Sequence, residues 1–168
     1  MRIFVTGATG FVGSALVPEL IASGHGVIGL ARSAEAAQAL SSWGAEVHHG
    51  DLADADCLRS AVAKGDAVIH TAYNHDFANF GASAEADQRA IVAIGEALEG
   101  SQRPFIITSG LPVVSGRPAT EADLEPAGGA SPRRSEQAAM ALADRGVRAL
   151  VVRMSQVHDR NRQGLPLT

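Results

Sequence analysis

Several features that mark other classes of protein are missing from this chain of 168 residues. Its single cysteine, Cys57, excludes an internal disulfide and a multi-cysteine zinc site, and suits the reducing cytoplasm. No apolar run approaches the ~18 residues of a membrane span, and the apolar start at residues 3–5 is too short for a secretory leader. The net charge is −4 without a basic block, so nucleic acid is not an expected partner.

Lysine and tyrosine are also scarce, because each occurs once, as Lys64 and Tyr73, while the other 13 basic residues are arginine. Any mechanism that needs a tyrosine–lysine pair must therefore use these two residues. Hydrophobic residues make up 46% of the chain and charged residues 19%, which is ordinary globular composition. Length and composition together predict one folded domain over residues 1–168.

Short apolar runs alternate with alanine-rich helical stretches along the chain. Strands are predicted at residues 2–6, 26–31, 46–50, 67–72, 105–108 and 148–152. Helices are predicted at residues 11–23, 34–42, 54–63, 84–99 and 135–144. This alternation predicts an α/β fold, a doubly wound parallel sheet of about six strands with helices on both faces. Residues 110–132 are rich in glycine and proline and are predicted to be a functional or mobile loop.

The run TGATGFVG at residues 6–13 lies between the first predicted strand and the first predicted helix. Glycines at positions 7, 10 and 13 allow a tight turn, a close approach of backbone to a pyrophosphate, and packing of helix on strand. The helix N-terminus adds free N–H groups and the positive end of the helix dipole. Since the motif opens a series of βαβ units, it predicts a dinucleotide site. The predicted site residues of this loop are Gly7, Thr9, Gly10, Phe11, Val12 and Gly13.

The loop resembles the nucleotide signature of the extended and atypical short-chain dehydrogenase/reductases, the group that contains NAD(P)-dependent epimerases and dehydratases. The resemblance continues in family order at residues 50–52, 66–72, 105–109 and 151–158, and so covers nearly the whole chain. It implies a Rossmann fold that binds a nicotinamide dinucleotide.

The resemblance also implies further cofactor contacts. In the family, the residues that match Asp51 and Leu52 flank the adenine, and those that match Thr71 and Ala72 line the path of the ribose and nicotinamide. Val157 is expected to touch the nicotinamide edge through its backbone. For Asp51 the alternative is a turn residue that caps a helix.

The end of the second strand indicates which nicotinamide cofactor is bound. NAD-binding proteins place an acidic residue there to accept a hydrogen bond from the ribose 2′-hydroxyl. This chain has no carboxylate at that point, but Arg32 offers a planar fork for a phosphate and Ser33 offers a hydroxyl. NADP is therefore favoured and NAD remains possible. The alternative is that Arg32 is simply exposed and that Glu35 reaches the ribose.

The catalytic pair of the family is missing. The resemblance implies a tyrosine whose pKa is lowered by a lysine four residues later, and a serine or threonine that holds the substrate oxygen. Ser135 and Glu136 align with the serine–lysine step, so a carboxylate replaces the lysine. The tyrosine position falls on Pro132 or Arg133.

Other residues could supply the chemistry instead. Ser109 or Thr108 could hold a substrate oxygen, although packing at a strand end is the alternative. Tyr73 or His75 could serve as a substitute acid, with Asp76 orienting the histidine, or this stretch could be a solvated loop. No metal site is predicted, because no paired spacing of metal ligands accompanies these residues.

Three functions follow as hypotheses. The first is an NAD(P)-dependent oxidoreductase or epimerase-like protein acting on an unidentified carbonyl or alcohol. The second is a non-catalytic NAD(P)-binding sensor or scaffold, and the third is an inactive fragment. The family continues with a small substrate-binding lobe, which is expected to be absent or truncated after residue 168. Its loss is expected to expose apolar surface at Leu111, Val113 and Val157, and to favour self-association.

Overall fold

The computed structural model describes residues 1–112, 114–123 and 133–154. These residues are organised around one six-stranded sheet. The strands are β1 (Arg2–Thr6), β2 (Gly26–Ala31), β3 (Glu46–His49), β4 (Ala67–His70), β5 (Phe105–Gly110) and β6 (Ala149–Met154). The helices are α1 (Gly13–Ala22), α2 (Ala34–Ser42), α3 (Ala55–Val62), α4 (Phe80–Leu98) and α5 (Ser135–Asp144). All neighbouring strands are parallel, in the order β3-β2-β1-β4-β5-β6, which confirms the predicted doubly wound Rossmann fold.

The sheet is covered on both faces, and consecutive residues of β1 show how. Phe4 belongs to a buried cluster with residues of α3, α4 and α5, whereas Val5 belongs to a cluster with residues of α1 and α2. Side chains of a strand alternate between its faces, so a strand covered on both sides is apolar throughout. This explains why the strands appear in the sequence as short apolar runs.

The strand order reverses between β1 and β4, which lie side by side at the centre of the sheet. Their last residues, Thr6 and His70, are register partners. In open α/β sheets the ligand crevice lies outside the carboxyl ends of the strands at such a reversal. The loops that leave β1 and β4 therefore begin at the expected ligand position.

The boundaries of several elements differ from those predicted. β4 ends at His70 instead of residue 72, α1 begins at Gly13 instead of residue 11, and β5 and β6 run two residues further than predicted. The largest difference is at α4, which begins at Phe80 instead of residue 84. The cause is Asp76, whose side chain accepts a hydrogen bond from the backbone of Ala78 and starts a 3-10 turn that leads into the helix.

The connection between β5 and α5 is anchored to the sheet in its described part, residues 111–112 and 114–123. Arg117 pairs with Asp123 at 2.8 Å, and these hydrogen bonds hold the pKa of the Asp123 carboxyl well below its usual range. Arg153 of β6 donates to the carbonyl oxygens of Thr120 and Glu121 at 3.0 and 3.2 Å. The described part of the predicted loop is thus held against the last strand.

The outer edge of the sheet carries exposed apolar side chains. Leu150 and Val152 are exposed on β6, which pairs with β5 alone among the described strands, and Leu111 is exposed just after β5. Val113 and Val157, the other members of the predicted apolar surface, lie outside the described residues. An unpaired strand edge with apolar side chains favours association with other chains.

We therefore expect the chain to self-associate through β6. In sedimentation velocity, the weight-average sedimentation coefficient should rise with protein concentration. Replacing both Leu150 and Val152 by lysine should remove this rise, because charge on an edge strand opposes pairing. Met140→Lys, on exposed α5 surface, is the matched control and should leave the rise unchanged. A monomer at every concentration would contradict the expectation.

Candidate functional site

The loop between β1 and α1 has no room for a side chain at its first or last glycine. Gly7 has φ of 66°, and a Cβ on it would lie 2.6 Å from the backbone nitrogen of Ala72. A Cβ on Gly13 would lie 2.1 Å from the carbonyl oxygen of Gly7. Gly10 closes the turn by donating its N–H to that same oxygen at 2.9 Å. The loop is therefore pressed between α1 and the end of β4, as the glycine spacing predicts.

Helix α1 begins without a side chain that would compete with an anionic ligand. Its N-cap, Val12, has no side-chain hydrogen bond, and the first turn contains no acidic residue. Gly10 is exposed at the tip of the loop, with Thr9 and Phe11 half-buried on either side. Since a helix N-terminus attracts anions, these residues fit the pyrophosphate of a dinucleotide.

Thr71 and Ala72 lie across from the glycine loop, as the resemblance implies. The Thr71 hydroxyl donates to the carbonyl oxygen of Thr6 at 2.8 Å, and the Thr71 N–H donates to the same oxygen at 3.2 Å. Thr71 therefore fixes the end of β4 to the end of β1 and sets the width of the crevice. Contact of these two residues with the ribose and nicotinamide stays a prediction.

The end of β2 presents Arg32 to solvent. Its side chain is 84% exposed, and its Nε lies 4.0 Å from a carboxylate oxygen of Asp51. Ser33 is the N-cap of α2, where its hydroxyl oxygen accepts from the backbone of Ala36 at 3.2 Å. A hydrogen bond from Ser33 lowers the pKa of Glu35, so this carboxylate is charged near neutral pH.

Asp51 makes the contact of a turn residue but does not cap a helix, so the alternative given for it holds only in its turn part. Its Oδ1 accepts from the backbone of Ala53 at 2.9 Å, whereas the N-cap of α3 is Asp54. The side chain of Leu52 packs against the core cluster under α3 to α5. Asp51 and Leu52 therefore lie at the carboxyl edge of the sheet beside Arg32, and their contact with adenine stays a prediction.

A row of hydrogen-bonded, buried polar side chains runs from β1 to α5, and the sequence analysis did not predict it. Thr6 Oγ1 lies 2.7 Å from His70 Nδ1, and His70 Nε2 lies 3.0 Å from Asp87 Oδ1. The Ser135 hydroxyl donates to Asp87 Oδ2 at 2.5 Å. All four residues are at most 1% exposed, so a lost partner would leave a buried polar group unsatisfied.

Arg133 continues this row of buried side chains into the crevice. Its Nε donates to the Ser135 hydroxyl oxygen at 2.7 Å, and its Nη2 donates to the carbonyl oxygen of Thr108 at 2.8 Å. The centre of its guanidinium lies 4.3 Å from the centroid of the Tyr73 ring. Arg133 is one of the two positions where the family's tyrosine was expected, so a fixed cation stands where the resemblance places an acid.

Tyr73 and His75 lie together in the loop after β4, with ring centroids 5.2 Å apart, and Phe80 packs on Tyr73 at 6.0 Å. Burial raises the pKa of Tyr73, and the charge of Arg133 acts against this rise. Burial lowers the pKa of His75, and Arg133 lowers it further. The Tyr73 hydroxyl is buried and finds no hydrogen-bond partner among the described residues.

Asp76 caps a 3-10 turn, a role that the sequence did not predict. Its Oδ1 accepts from the backbone of Ala78 at 3.1 Å, and its Oδ2 accepts from the amide of Asn79 at 2.9 Å. These hydrogen bonds lower the pKa of Asp76 and make it the N-cap of the 3-10 turn Phe77–Asn79. The prediction that Asp76 orients His75 stays a prediction beside this capping role.

Ser109 is buried in β5, on the same face as Phe105 and Ile107. Its neighbour Thr108 donates its hydroxyl to the carbonyl oxygen of His70 at 3.1 Å. Both side chains therefore take part in packing the sheet. A role for Ser109 in holding a substrate oxygen stays a prediction.

Glu136, at the position of the family's lysine, pairs with Arg153 of β6. The two side chains are 11% and 12% exposed and make two contacts, one of them 3.3 Å from Arg153 Nε to Glu136 Oε2. The hydrogen bonds to Glu136 raise the pKa of Arg153. The pair lines a cavity of about 330 Å³ at the carboxyl ends of β5 and β6, whose other lining residues are Leu111, Ala119, Thr120, Glu121 and Val151.

Glu136→Ala is expected to reduce stability, because it leaves Arg153 largely buried without its carboxylate. We expect the free energy of unfolding to fall by about 1–3 kcal/mol, measured from urea denaturation. Glu85→Ala, which breaks an exposed pair with Arg89, is the control and should change it by less than about 0.5 kcal/mol. Equal denaturation midpoints for Glu136→Ala and the wild type would show that the pair is not structural.

Neither a membrane-spanning helix nor a group of metal ligands is found among the described residues. None of their helices has the length and apolar character that crossing a bilayer requires. Residues 1–112, 114–123 and 133–154 also contain no group of three histidine, cysteine or acidic side chains placed to hold a metal ion. Val157, predicted to contact the nicotinamide, and its neighbour His158 lie outside these residues.

The fold and the glycine loop define a Rossmann protein with a nicotinamide-dinucleotide site, and comparisons with known proteins agree. A model of the NAD(P)H-binding family matches residues 7–168. An uncharacterized protein of Saccharomyces cerevisiae is 42% identical over 158 residues, and one of Schizosaccharomyces pombe is 44% identical over 156 residues. Each alignment covers 92% of this chain and 53% of the yeast protein. The chain belongs to the NAD(P)H-binding family and spans about half the length of the curated relatives it matches.

A solved structure has the same fold. The UDP-glucuronic acid 4-epimerase of Bacillus cereus, determined in complex with NAD, superposes with a TM-score of 0.79 at 20% identity. The alignment covers 97% of this chain and 59% of the epimerase. The superposition agrees with the predicted Rossmann fold, and the family match confirms the predicted NAD(P)-binding domain.

Proposed function

We propose that the chain is the cofactor-binding part of an NADP-dependent oxidoreductase or epimerase-like enzyme that acts on a carbonyl or alcohol. The observation that carries this proposal is the position of the glycine loop. Gly7 and Gly13 are pressed between β4 and α1 at the reversal of strand order, and the loop leads into a helix end that no acidic side chain closes. A bound nicotinamide dinucleotide would supply hydride chemistry at this place.

Each proposed cofactor contact uses a residue already placed at the crevice. The backbone of the loop and the N-terminus of α1 would hold the pyrophosphate. Arg32 would hold the 2′-phosphate, because its guanidinium is charged, exposed and at the end of β2. NADP is therefore the proposed cofactor, and NAD with Glu35 at the ribose is the alternative.

The proposed proton donor comes from the loop after β4. Tyr73 and His75 lie at the carboxyl end of that strand, and Ser109 lies at the end of the next strand in the sheet. In the described conformation the Tyr73 hydroxyl is shielded from solvent, so a substrate oxygen reaches it only when a neighbouring side chain turns aside. His75 is exposed in the same loop.

We propose that residues 1–168 form the nucleotide-binding domain. The curated relatives are about twice as long as their matched segments, so the substrate would be bound together with the part that this chain does not match. Chemistry at a carbonyl or alcohol would then take place between the crevice described above and that second part.

A second candidate function is a non-catalytic NAD(P)-binding module. It is favoured by Glu136, which occupies the place of the lysine and is engaged by Arg153 in a largely buried pair. A carboxylate there cannot lower the pKa of a tyrosine, because negative charge disfavours a phenolate. Under this alternative, cofactor binding would serve sensing or assembly.

A turnover assay separates the two candidates. The chain is incubated with NADPH and a panel of aromatic aldehydes and α-dicarbonyls, and NADPH absorbance is followed. Oxidation that is lost in Gly13→Ala supports the enzyme. Tight NADPH binding without oxidation across the panel, both by the chain and by the Saccharomyces cerevisiae protein that includes the further part, supports the non-catalytic module. Absence of binding to either NADPH or NADH would overturn both.

A further inference from the structure

We propose that Arg133, from a different position, performs the role that the lysine has in the family, and that Tyr73 and Arg133 together form the proton-donating unit of the crevice. This inference rests on the proposed function, since it names the acid of that same site. Arg133 acts here as a positioning and charge-stabilising residue, and Tyr73 is the group that meets the substrate oxygen. The pair joins a residue of the loop after β4 to a residue just before α5, two places that are far apart in the sequence.

The geometry of the pair fixes the guanidinium of Arg133 over the ring of Tyr73. The guanidinium lies 4.3 Å from the centroid of the Tyr73 ring, within the range of a cation–π contact. Two of its nitrogens are committed to the Ser135 hydroxyl and the Thr108 carbonyl oxygen, at 2.7 and 2.8 Å. The charge is therefore held over the ring instead of moving freely in solvent.

Buried polar side chains support Arg133 from behind. Ser135 is held by Asp87, Asp87 by His70, and His70 by Thr6, all in a buried row of hydrogen bonds. A row of this kind has little freedom to rearrange, because each step would leave a buried polar group unpaired. Ser135 and Asp87 are thus positioning residues for Arg133, and Thr6 ties the row to the strand that carries the glycine loop.

The charge of Arg133 acts on the pKa of both candidate acids in the same direction, with a different consequence for each. A fixed cation favours the phenolate of Tyr73 and disfavours the imidazolium of His75. Arg133 accordingly opposes the rise that burial causes in the pKa of Tyr73, while it adds to the fall in the pKa of His75. Asp87 is the opposing negative charge that faces Tyr73. The balance makes Tyr73 the better proton donor and leaves His75 neutral near pH 7.

The proton that the substrate oxygen needs can come from Tyr73. When the carbonyl carbon has accepted the hydride, its oxygen takes the proton of the Tyr73 hydroxyl, so that the tyrosine O–H bond breaks and the alcohol O–H bond forms. The electron pair stays on the phenolate oxygen beside Arg133, and water then reprotonates it. The Tyr73 hydroxyl makes no hydrogen bond with the described residues, so its proton is not committed to them.

The test uses the fact that Tyr73 is the only tyrosine of the chain, so tyrosinate absorbance reports on this residue alone. Arg133→Gln should raise the pH midpoint of its titration by about one unit, because it removes the nearby cation. Arg133→Lys should restore most of the wild-type midpoint, and Ser135→Ala should shift it in the same direction by less. Arg89→Gln on exposed α4 surface is the control, and Trp43 fluorescence at each pH confirms that the variants stay folded.

The outcomes separate this inference from the proposed function. Equal midpoints in wild type and Arg133→Gln would overturn the pair whether or not turnover is found. With an active substrate from the panel, Tyr73→Phe should lower kcat at least about 100-fold and leave the NADPH dissociation constant unchanged. Full turnover in Tyr73→Phe would overturn Tyr73 as the donor while leaving the oxidoreductase intact. If Arg133→Gln does not fold, Arg133→Lys and Ser135→Ala answer the same question. A midpoint near that of the wild type in Arg133→Lys, with a raised midpoint in Ser135→Ala, supports the pair, and equal midpoints in all three proteins would overturn it.

Discussion

Gly13→Ala is expected to weaken NADPH binding at least about 100-fold. The new Cβ would lie 2.1 Å from the carbonyl oxygen of Gly7 and 2.7 Å from the backbone of Ala8, so α1 and the loop must move apart. Both neighbours are backbone atoms, which cannot turn aside as a flexible side chain does. Since the loop and the helix end would form the proposed pyrophosphate site together, their separation should remove most of the binding energy. The measurement is a titration of NADPH fluorescence.

The matched control for this change is Gly81→Ala. Gly81 lies in α4, and a Cβ on it would meet nothing within 4 Å. Alanine there should leave NADPH binding unchanged and stabilise the helix by about 0.5–1 kcal/mol. Wild-type affinity in Gly13→Ala would mean that the cofactor does not bind at this loop.

Arg32→Ala is expected to remove most of a preference for NADPH over NADH. NADPH carries about two more negative charges than NADH, on its 2′-phosphate, and a guanidinium can donate two parallel N–H bonds to it. Because the side chain is 84% exposed, solvent reduces this effect, and we expect a preference of about 10- to 70-fold. NADH binding should change little, because the pyrophosphate site is untouched.

Two comparisons make the Arg32 result specific. Arg89→Ala removes an exposed arginine from α4, far along the chain from the cofactor loops, and should keep the wild-type preference. Added salt should weaken NADPH binding more than NADH binding in the wild type, since screening acts on the extra phosphate. In Arg32→Ala this difference in salt dependence should largely disappear.

The fold was predictable because its signals are local. Strands β1 and β2 and helices α2 and α5 begin and end where the apolar periodicity and the flanking residues indicate. The start of α4 was missed because Asp76 caps a 3-10 turn before the apolar stripe of that helix begins. Asp87 lies on the same buried face of α4 as Ala84, Ile91, Ile94 and Leu98. A carboxylate on a buried helix face indicates a buried polar partner, so this part of the site could have been predicted from the sequence.

The crevice was less predictable, because its contacts join distant parts of the chain. The missing Tyr–Lys couple is visible in the sequence, but the position of Arg133 over Tyr73 depends on how β4, β5 and α5 pack. Glu136 likewise shows its role only when β6 brings Arg153 beside it. By contrast, the glycine loop is one continuous stretch, so its geometry could be predicted from three glycines and their place after a strand.

The central claim is that a nicotinamide dinucleotide binds at the glycine loop with its 2′-phosphate at Arg32. The most direct measurement is a parallel fluorescence titration of the wild type and Arg32→Ala with NADPH and NADH. The account predicts that the wild type binds NADPH about 10- to 70-fold more tightly than NADH, and that Arg32→Ala binds the two with nearly equal affinity. Equal affinities in the wild type would contradict the role of Arg32 and move the ribose contact to Glu35, and failure to bind either cofactor would contradict the claim as a whole.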